Sequence, residues 1–422
     1  MKPLNILFIS PYLPSQIRAR PYNLIKHLAQ RGHRITLLAL EPSGEDRSGL
    51  NSLHTWCQRV QITPLPRWRP LWNGIQAIAS QTPFQAAYSR SPEMMELIKK
   101  TQAETNFDII HVEHLRGAEL SRAVKGGPIV FDSVDSITLL FDLVRRSGPT
   151  WRSRLLANLD LVRTRRYEGQ LLEKYPRVLV TSPRDREALA QLSALAVKTS
   201  VGKAGQNSDS QMQKINDRLV IIPIGVDLDY FTPLNIPRDP ATLIFSGKMS
   251  YHANTAAALD LANKIMPVVW QRLPETRLVL AGKNPPAEVL ALSADPRIVV
   301  TGTVPDLRPY LAQATLAVSP MRYAVGMQFK VLEAMAMATP LISTPQAVSA
   351  LQVQAGQEAL VADTPQAVAD AAITLLTNET LRQQVGQQGR RYVETHHDWH
   401  KAAEKLESVY YDVIMERRAV PV

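Results

Sequence analysis

Short apolar runs alternate with stretches of helical spacing along almost the whole chain, and this alternation limits the possible fold more than any single residue does. In the first half, LNILFIS, HRITLLAL, FDIIHVE, GPIVFDSV and PRVLVTS read as buried strands. Between the first two, RPYNLIKHLAQRG places Leu24, Ile25 and Leu28 on one helical face, with Gly32 positioned to end the helix. After RLVIIPIGVD the pattern restarts. ATLIFSGKMS, TRLVLAGK, RIVVTGTV, TLAVSP and PLISTP read as strands, and NTAAALDLANKIMPVVWQRLP as a single long helix. Leu406, Val409, Tyr410 and Ile414 recur at helical spacing near the end. Such alternation predicts an α/β protein with parallel, doubly wound sheets.

The 422 residues exceed the roughly 250–300 that one core usually supports, so two domains are expected. The stretch TSVGKAGQNSDSQMQKIN is polar and rich in Gly, Ser and Gln, and predicts a flexible surface insertion. The expected divisions are therefore 1–195, a flexible insertion at 196–217, a second domain at 218–395 and a terminal helix at 396–422.

Cys57 is the only cysteine, so no internal disulfide forms, and a reducing cytoplasm suits the chain. No apolar run reaches the ~18–20 residues that a membrane span needs. LNILFIS lacks a small-residue cleavage site after it and reads as the first strand rather than a leader.

The net charge of +10 is unevenly spread. Up to Arg218 there are about 31 Lys and Arg against about 19 Asp and Glu, and the remainder is close to neutral. A basic first half suits an anionic membrane, a phosphorylated substrate, nucleic acid or merely a solvated face. Nucleic acid is disfavoured, because no recognition module and no interleaved aromatics are present. Two stretches bear on a membrane: WRPLW, from Trp68 to Trp72, and WRSRLLANLDLVRTRRYEG. In the latter, Leu155, Leu159 and Val162 form a stripe beside Arg152, Arg154, Arg163, Arg165 and Arg166, suited either to an anionic leaflet or to packing on the domain.

Ligands of open α/β sheets bind at the carboxyl ends of strands, so the residues just after strands matter most. After TLAVSP, Gly326 permits a tight turn and a helix begins near Gln328 or Phe329. Free amides and the helix dipole make that start an anion site. Glu333, one turn in, is placed either to accept two hydroxyl hydrogens of a ribose or to pair with Lys330 at the surface. A dehydrogenase is excluded, since no G-x-G-x-x-G follows the first strand.

The string VLEAMAMATPLIST resembles the donor-site signature of retaining glycosyltransferases of family 4, which have the two-domain GT-B fold. IIPIGVDLDYFTP, SGKM, LVLAGK and TGTVPDLRPYLAQATLAVSP follow in the family's order, and DWHKAAEKLESVY looks like its helix returning to the first domain. The resemblance implies two Rossmann-like domains facing across a cleft. It further implies transfer of a sugar, with retention of configuration, from a nucleotide-sugar donor to a glycan or lipid-linked acceptor. The subgroup it most resembles assembles exopolysaccharides or other cell-surface glycans; the basic first half and the two tryptophan-led stretches add the expectation of a cytoplasmic protein peripheral to the membrane.

By the same resemblance, Glu333 matches the second glutamate of a Glu-x7-Glu motif and holds the donor ribose, while Val325 stands where the first glutamate is expected. The amides of Gly326, Met327 and Gln328 remain available for phosphate or sugar. Gly247 forms the glycine turn, and Lys248 after it is a cation for the diphosphate, where the family usually has arginine. Asn254 replaces the family's second cation, for which Lys330 is a substitute. The family's first glycine-rich loop is missing, leaving Arg18 or Arg20 to supply charge there. Glu113 and His114 compete for the position that contacts the reacting sugar, and Asp132 and Asp135 either orient an acceptor or cap a helix.

Retaining transfer in this fold requires no dedicated nucleophile, and no Ser-His-Asp set or carboxylate pair is evident. With no His/Cys cluster and no Asp-x-Asp near the donor helix, the expectation is a nucleotide-sugar co-substrate and no required metal. The missing carboxylate at Val325 keeps a second reading open: a catalytically inactive, sugar-nucleotide-binding partner subunit.

Overall fold

The computed structural model describes residues 2–44, 47, 49–147, 151–201, 208–323 and 326–419. The chain forms two compact units: Met1–Pro223 together with Trp399–Val422, and Ile224–Asp398.

The first unit holds seven strands: β1 Asn5–Ser10, β2 Arg34–Pro42, β3 Arg59–Leu65, β4 Ile109–Glu113, β5 Ile129–Val134, β6 Arg177–Val180 and β7 Leu219–Ile221. They lie in the order β3-β2-β1-β4-β5-β6-β7, and every neighbouring pair is parallel. β1, β2 and β4 are almost entirely buried because helices cover both sheet faces, which is why they read as unbroken apolar runs. β3 escapes the sequence reading. It is an edge strand, it contains Pro64, and its residues are mostly half-buried, so it shows neither a run nor an alternation. The Ala19–Gln30 helix buries Leu24, Ile25 and Leu28 and ends at Gly32, whose positive φ of 89° closes the turn.

The terminal Trp399–Ala419 helix belongs to this unit and buries Leu406, Val409, Tyr410 and Ile414. Arg31 of the Ala19–Gln30 helix cap bonds Glu407 on it.

The second unit holds β8 Thr242–Ser246, β9 Arg277–Ala281, β10 Ile298–Gly302, β11 Leu316–Ser319, β12 Leu341–Ser343 and β13 Leu360–Val361. Their order is β10-β9-β8-β11-β12-β13, again all parallel. The long helix expected after β8 is interrupted. His252–Asp260 passes into a π-helical turn at Leu261–Ile265 before Met266–Arg272, where Pro267 lacks the N–H that an unbroken helix would use.

Two expectations are corrected. The flexible insertion at 196–217 is largely helical, with helices at Pro183–Val201 and Ser208–Arg218; residues 202–207 of it lie outside the described residues. Its polar composition hides Met212 and Ile215, one turn apart, which pack on the first core. The second unit begins at Ile224 rather than 218, because Leu219–Ile221 pairs with β6 and completes the first sheet. Among the described residues no helix is long and apolar enough to cross a membrane.

Candidate active site

In the second unit the strand order reverses between β8 and β11, the point at which open α/β sheets bind ligands beyond the strands' carboxyl ends. Two glycine turns shape it. Gly247 follows β8 with φ 147°, and its amide donates to Ala281 O at 3.0 Å. Gly282 follows β9 with φ 152°, and a Cβ there would lie 1.7 Å from Gly247 O. Backbone packs directly on backbone, so the two turns hold one another in place.

Lys248 is exposed, and its carbonyl accepts from Asn254 Nδ2 at 2.9 Å. Asn254 is buried near the start of the His252–Asp260 helix. Its Oδ1 accepts from Lys330 Nζ at 2.5 Å. Lys330 Nζ also lies 5.0 Å above the Phe245 ring. Lys330 and Glu333 both stand on the Phe329–Ala336 helix, which follows β11 and the positive-φ turn at Gly326. Gln328 caps that helix in extended conformation without a side-chain capping bond, and its Nε2 donates to Gly326 O at 3.3 Å. Met327 is buried. Val325 lies outside the described residues.

Burial sets the ionisation here. It pulls Lys330 down to about 8, against the attraction of Glu333. It pushes Glu333 up to about 7, against the opposing pull of Lys330. Beside them, Arg322 pairs with Asp260, and the His252 and Tyr323 rings stack at 5.3 Å with His252 Nδ1 2.6 Å from the Tyr323 hydroxyl. These aromatics escape a motif reading because they lie 71 residues apart in the chain, His252 at a helix start and Tyr323 in a loop.

In the first unit the strand order reverses between β1 and β4. Arg18, Arg20, Glu113, His114 and Asp132, all singled out in the sequence, gather at this point with different exposures. Glu113 is wholly buried; its Oε1 accepts from the Tyr12 hydroxyl at 3.1 Å, and His111 Nε2 lies 3.5 Å from its Oε2. Burial raises the Glu113 carboxyl, and Asp132 adds to that. Arg20 is buried too. It donates to Asp132 through Nε at 2.9 Å and Nη2 at 3.1 Å, and to Ile222 O through Nη1 at 2.7 Å. Arg18 is exposed, with its guanidinium 4.7 Å from the Tyr12 ring centroid.

His114 is half-buried and takes a positive φ of 62°, while Val134 at the end of β5 takes 66°. For a β-branched residue this is a strained backbone, of a kind that collects at functional sites. His114 Nδ1 accepts from the Arg116 amide at 3.2 Å. Burial, then Arg116 and Arg18, lowers its pKa to about 3, so the ring is neutral near pH 7. His111, missed in the sequence, links this cluster to the terminal helix through Tyr410, whose hydroxyl lies 2.8 Å from His111 Nδ1.

Neither Asp132, inside β5, nor Asp135, just after it, caps the Ile137–Ser147 helix. Its first amides go to Glu168, which burial raises to about 7. Asp132 holds Arg20, and Asp135 accepts from Thr181 Oγ1 at 2.9 Å.

Residues 17–201 match the glycosyl transferase 4-like domain family, and residues 240–378 match the family of glycosyl transferases group 1. The chain belongs to the glycosyltransferases. No curated protein matches it. Solved structures share its fold along nearly its whole length. A glycosyltransferase from Rickettsia africae is 15% identical with a TM-score of 0.64, covering 98% of this chain and 99% of its own. Sucrose-phosphate synthase from Thermosynechococcus elongatus is 19% identical with a TM-score of 0.64, over 98% and 100%. Anabaena HepE, solved with UDP and glucose, is 13% identical with a TM-score of 0.60, over 97% and 100%. The fold is GT-B: two Rossmann-like units, each a doubly wound parallel sheet.

Proposed function

We propose that the chain transfers a sugar, with retention of configuration, from a nucleotide-sugar donor to a glycan or lipid-linked acceptor in cell-surface polysaccharide assembly. The reading places it in the cytoplasm, on the inner face of the membrane. One observation carries it: the Lys330–Asn254 bond puts a partly buried cation beside the Gly247 turn and the uncapped start of the Phe329–Ala336 helix.

In this reading the amides of Gly326, Met327 and Gln328 and the side chains of Lys248 and Lys330 take the diphosphate, and Glu333 takes the ribose hydroxyls. Departure of the diphosphate concentrates negative charge where those donors already point, which lowers the barrier without reorganisation. His114, neutral near pH 7, is assigned the contact with the reacting sugar, and the acceptor attacks from the face the diphosphate leaves. No metal is assigned a step. HepE's complex with UDP and glucose supports a nucleotide-sugar co-substrate.

A second reading has a specific basis. Val325 removes one donor-side carboxylate, which suits a subunit that binds sugar nucleotides without transferring sugar. A thermal-shift screen of nucleotide sugars, followed by assay of donor hydrolysis and transfer, separates the two. A raised melting temperature with turnover supports the enzyme; a raised temperature without turnover supports the binding subunit.

A further inference from the structure

The Trp68–Ile78 helix of the first unit is amphipathic in the reverse sense. Its buried residues are Asn73 and Ala77. Asn73 Nδ2 donates to Tyr88 O at 3.1 Å and Arg90 O at 2.9 Å, which fixes the helix on the unit by its polar side. The opposite face carries Trp68, Leu71, Trp72, Ile75 and Ile78, spaced at three- and four-residue intervals, and each is between 50% and 72% exposed. Five large apolar side chains on one solvent-facing stripe are more than scattered surface exposure explains.

The Trp151–Gly169 helix adjoins the end of the Trp68–Ile78 helix. Arg163 there donates to Ala77 O at 3.1 Å and Ile78 O at 3.2 Å, and Leu159 and Val162 of that helix are exposed. The side chains of Arg152, Arg154 and Leu155 lie outside the described residues.

The rim is basic. Arg67 and Arg166 are exposed, and the Arg69 guanidinium sits 4.5 Å from the Trp68 ring centroid while bonding Glu93. The Trp68–Ile78 segment itself contains no acidic residue.

We infer that this stripe lies in the headgroup layer of an anionic membrane, with Trp68 and Trp72 as its interfacial anchors. Tryptophan suits that depth, having an apolar body and one N–H for the wet side. The arginines at the rim match anionic headgroups, whereas a second copy of this basic face would oppose like charge with like. The inference deepens the reading of a membrane-borne acceptor and rests on it for its purpose, but membrane binding is measured without donor or acceptor.

The experiment is flotation of the full chain with vesicles of phosphatidylcholine alone and with added phosphatidylglycerol, at low and high salt. Wild type floats with the anionic vesicles, less so in high salt. Leu71→Asp and Ile75→Asp each reduce the bound fraction roughly tenfold with unchanged melting temperature. Brominated phosphatidylglycerol quenches the tryptophan emission of wild type, and Trp68→Phe with Trp72→Phe removes that quenching. Failure to float on any vesicle, or flotation unaffected by both aspartate variants, overturns the inference. A concentration-dependent dimer in vesicle-free solution that Ile75→Asp dissolves also overturns it, assigning the stripe to a second copy. None of these results bears on nucleotide binding by the second unit, which is titrated on the same preparations.

Discussion

Lys330 Nζ donates to Asn254 Oδ1 at 2.5 Å, so a cation on the Phe329–Ala336 helix is held against the start of the His252–Asp260 helix. If Lys330 is the replacement cation, Lys330→Ala weakens nucleoside diphosphate binding about 10- to 100-fold, the loss expected for charge-assisted hydrogen bonds. Asn254→Ala, which frees the lysine and the Lys248 carbonyl but removes no charge, weakens it less. Lys248→Ala falls between the two and slows transfer as well. Calorimetric titration of nucleoside and nucleoside diphosphate checks this, and the nucleoside titration should be nearly indifferent to both lysines.

The same pair predicts a pH profile. The diphosphate needs Lys330 protonated, and that form is lost as pH rises through about 8. The ribose needs Glu333 ionised, and that form is lost as pH falls through about 7. Donor affinity therefore peaks between these values and falls on both sides. Lys330→Ala removes the alkaline limb, and Glu333→Gln the acidic one. Affinity measured across pH 5.5 to 9.5 on the three proteins tests both assignments, in a range of roughly two units around each value.

Gly282→Ala sets a Cβ 1.7 Å from Gly247 O at a positive φ. The backbone must shift, which costs about 3 kcal/mol or more and displaces the Gly247 turn. Thermal melts should show the loss of stability, and nucleotide affinity should fall with it even though position 282 is not a proposed ligand contact.

In the first unit, buried and half-buried residues should separate by phenotype. Arg20→Met leaves Asp132 as an uncompensated buried charge and costs about 3–5 kcal/mol, with donor affinity per folded molecule unchanged. Glu113→Gln acts in the same direction through Tyr12, less strongly. His114→Ala lowers turnover and leaves stability and nucleotide affinity near wild type. Chemical denaturation alongside single-turnover transfer distinguishes the three.

Much of this was legible in the sequence, for identifiable reasons. Central strands such as LNILFIS and TLAVSP are covered on both sides, so burial wrote itself into composition. Gly326 and Glu333 were visible because turn and helix are local. What stayed hidden was long-range or locally atypical. Edge strand β3 carries a proline and little burial. The Ser208–Arg218 helix shows mostly polar residues, with Met212 and Ile215 its inward contacts. His111 acquires its role only through Tyr410, nearly three hundred residues later in the chain, and Arg20 only through Asp132. No spacing rule connects such residues. WRPLW was legible as an apolar, basic stretch, but only the fold shows that its helix turns the apolar face outward.

In the proposed function the donor nucleotide binds at the Gly326 turn with its ribose on Glu333. Glu333→Gln keeps the size of the side chain and removes the charge-assisted bonds, so it tests this most directly. Titration of wild type and Glu333→Gln with the nucleoside diphosphate, and with its analogue lacking both ribose hydroxyls, should show the mutant binding the intact ligand roughly 10- to 100-fold more weakly. The analogue should bind wild type poorly and lose little more in the mutant, with melting temperatures nearly equal. A mutant that binds the intact nucleotide as tightly as wild type would contradict the assignment of the donor site.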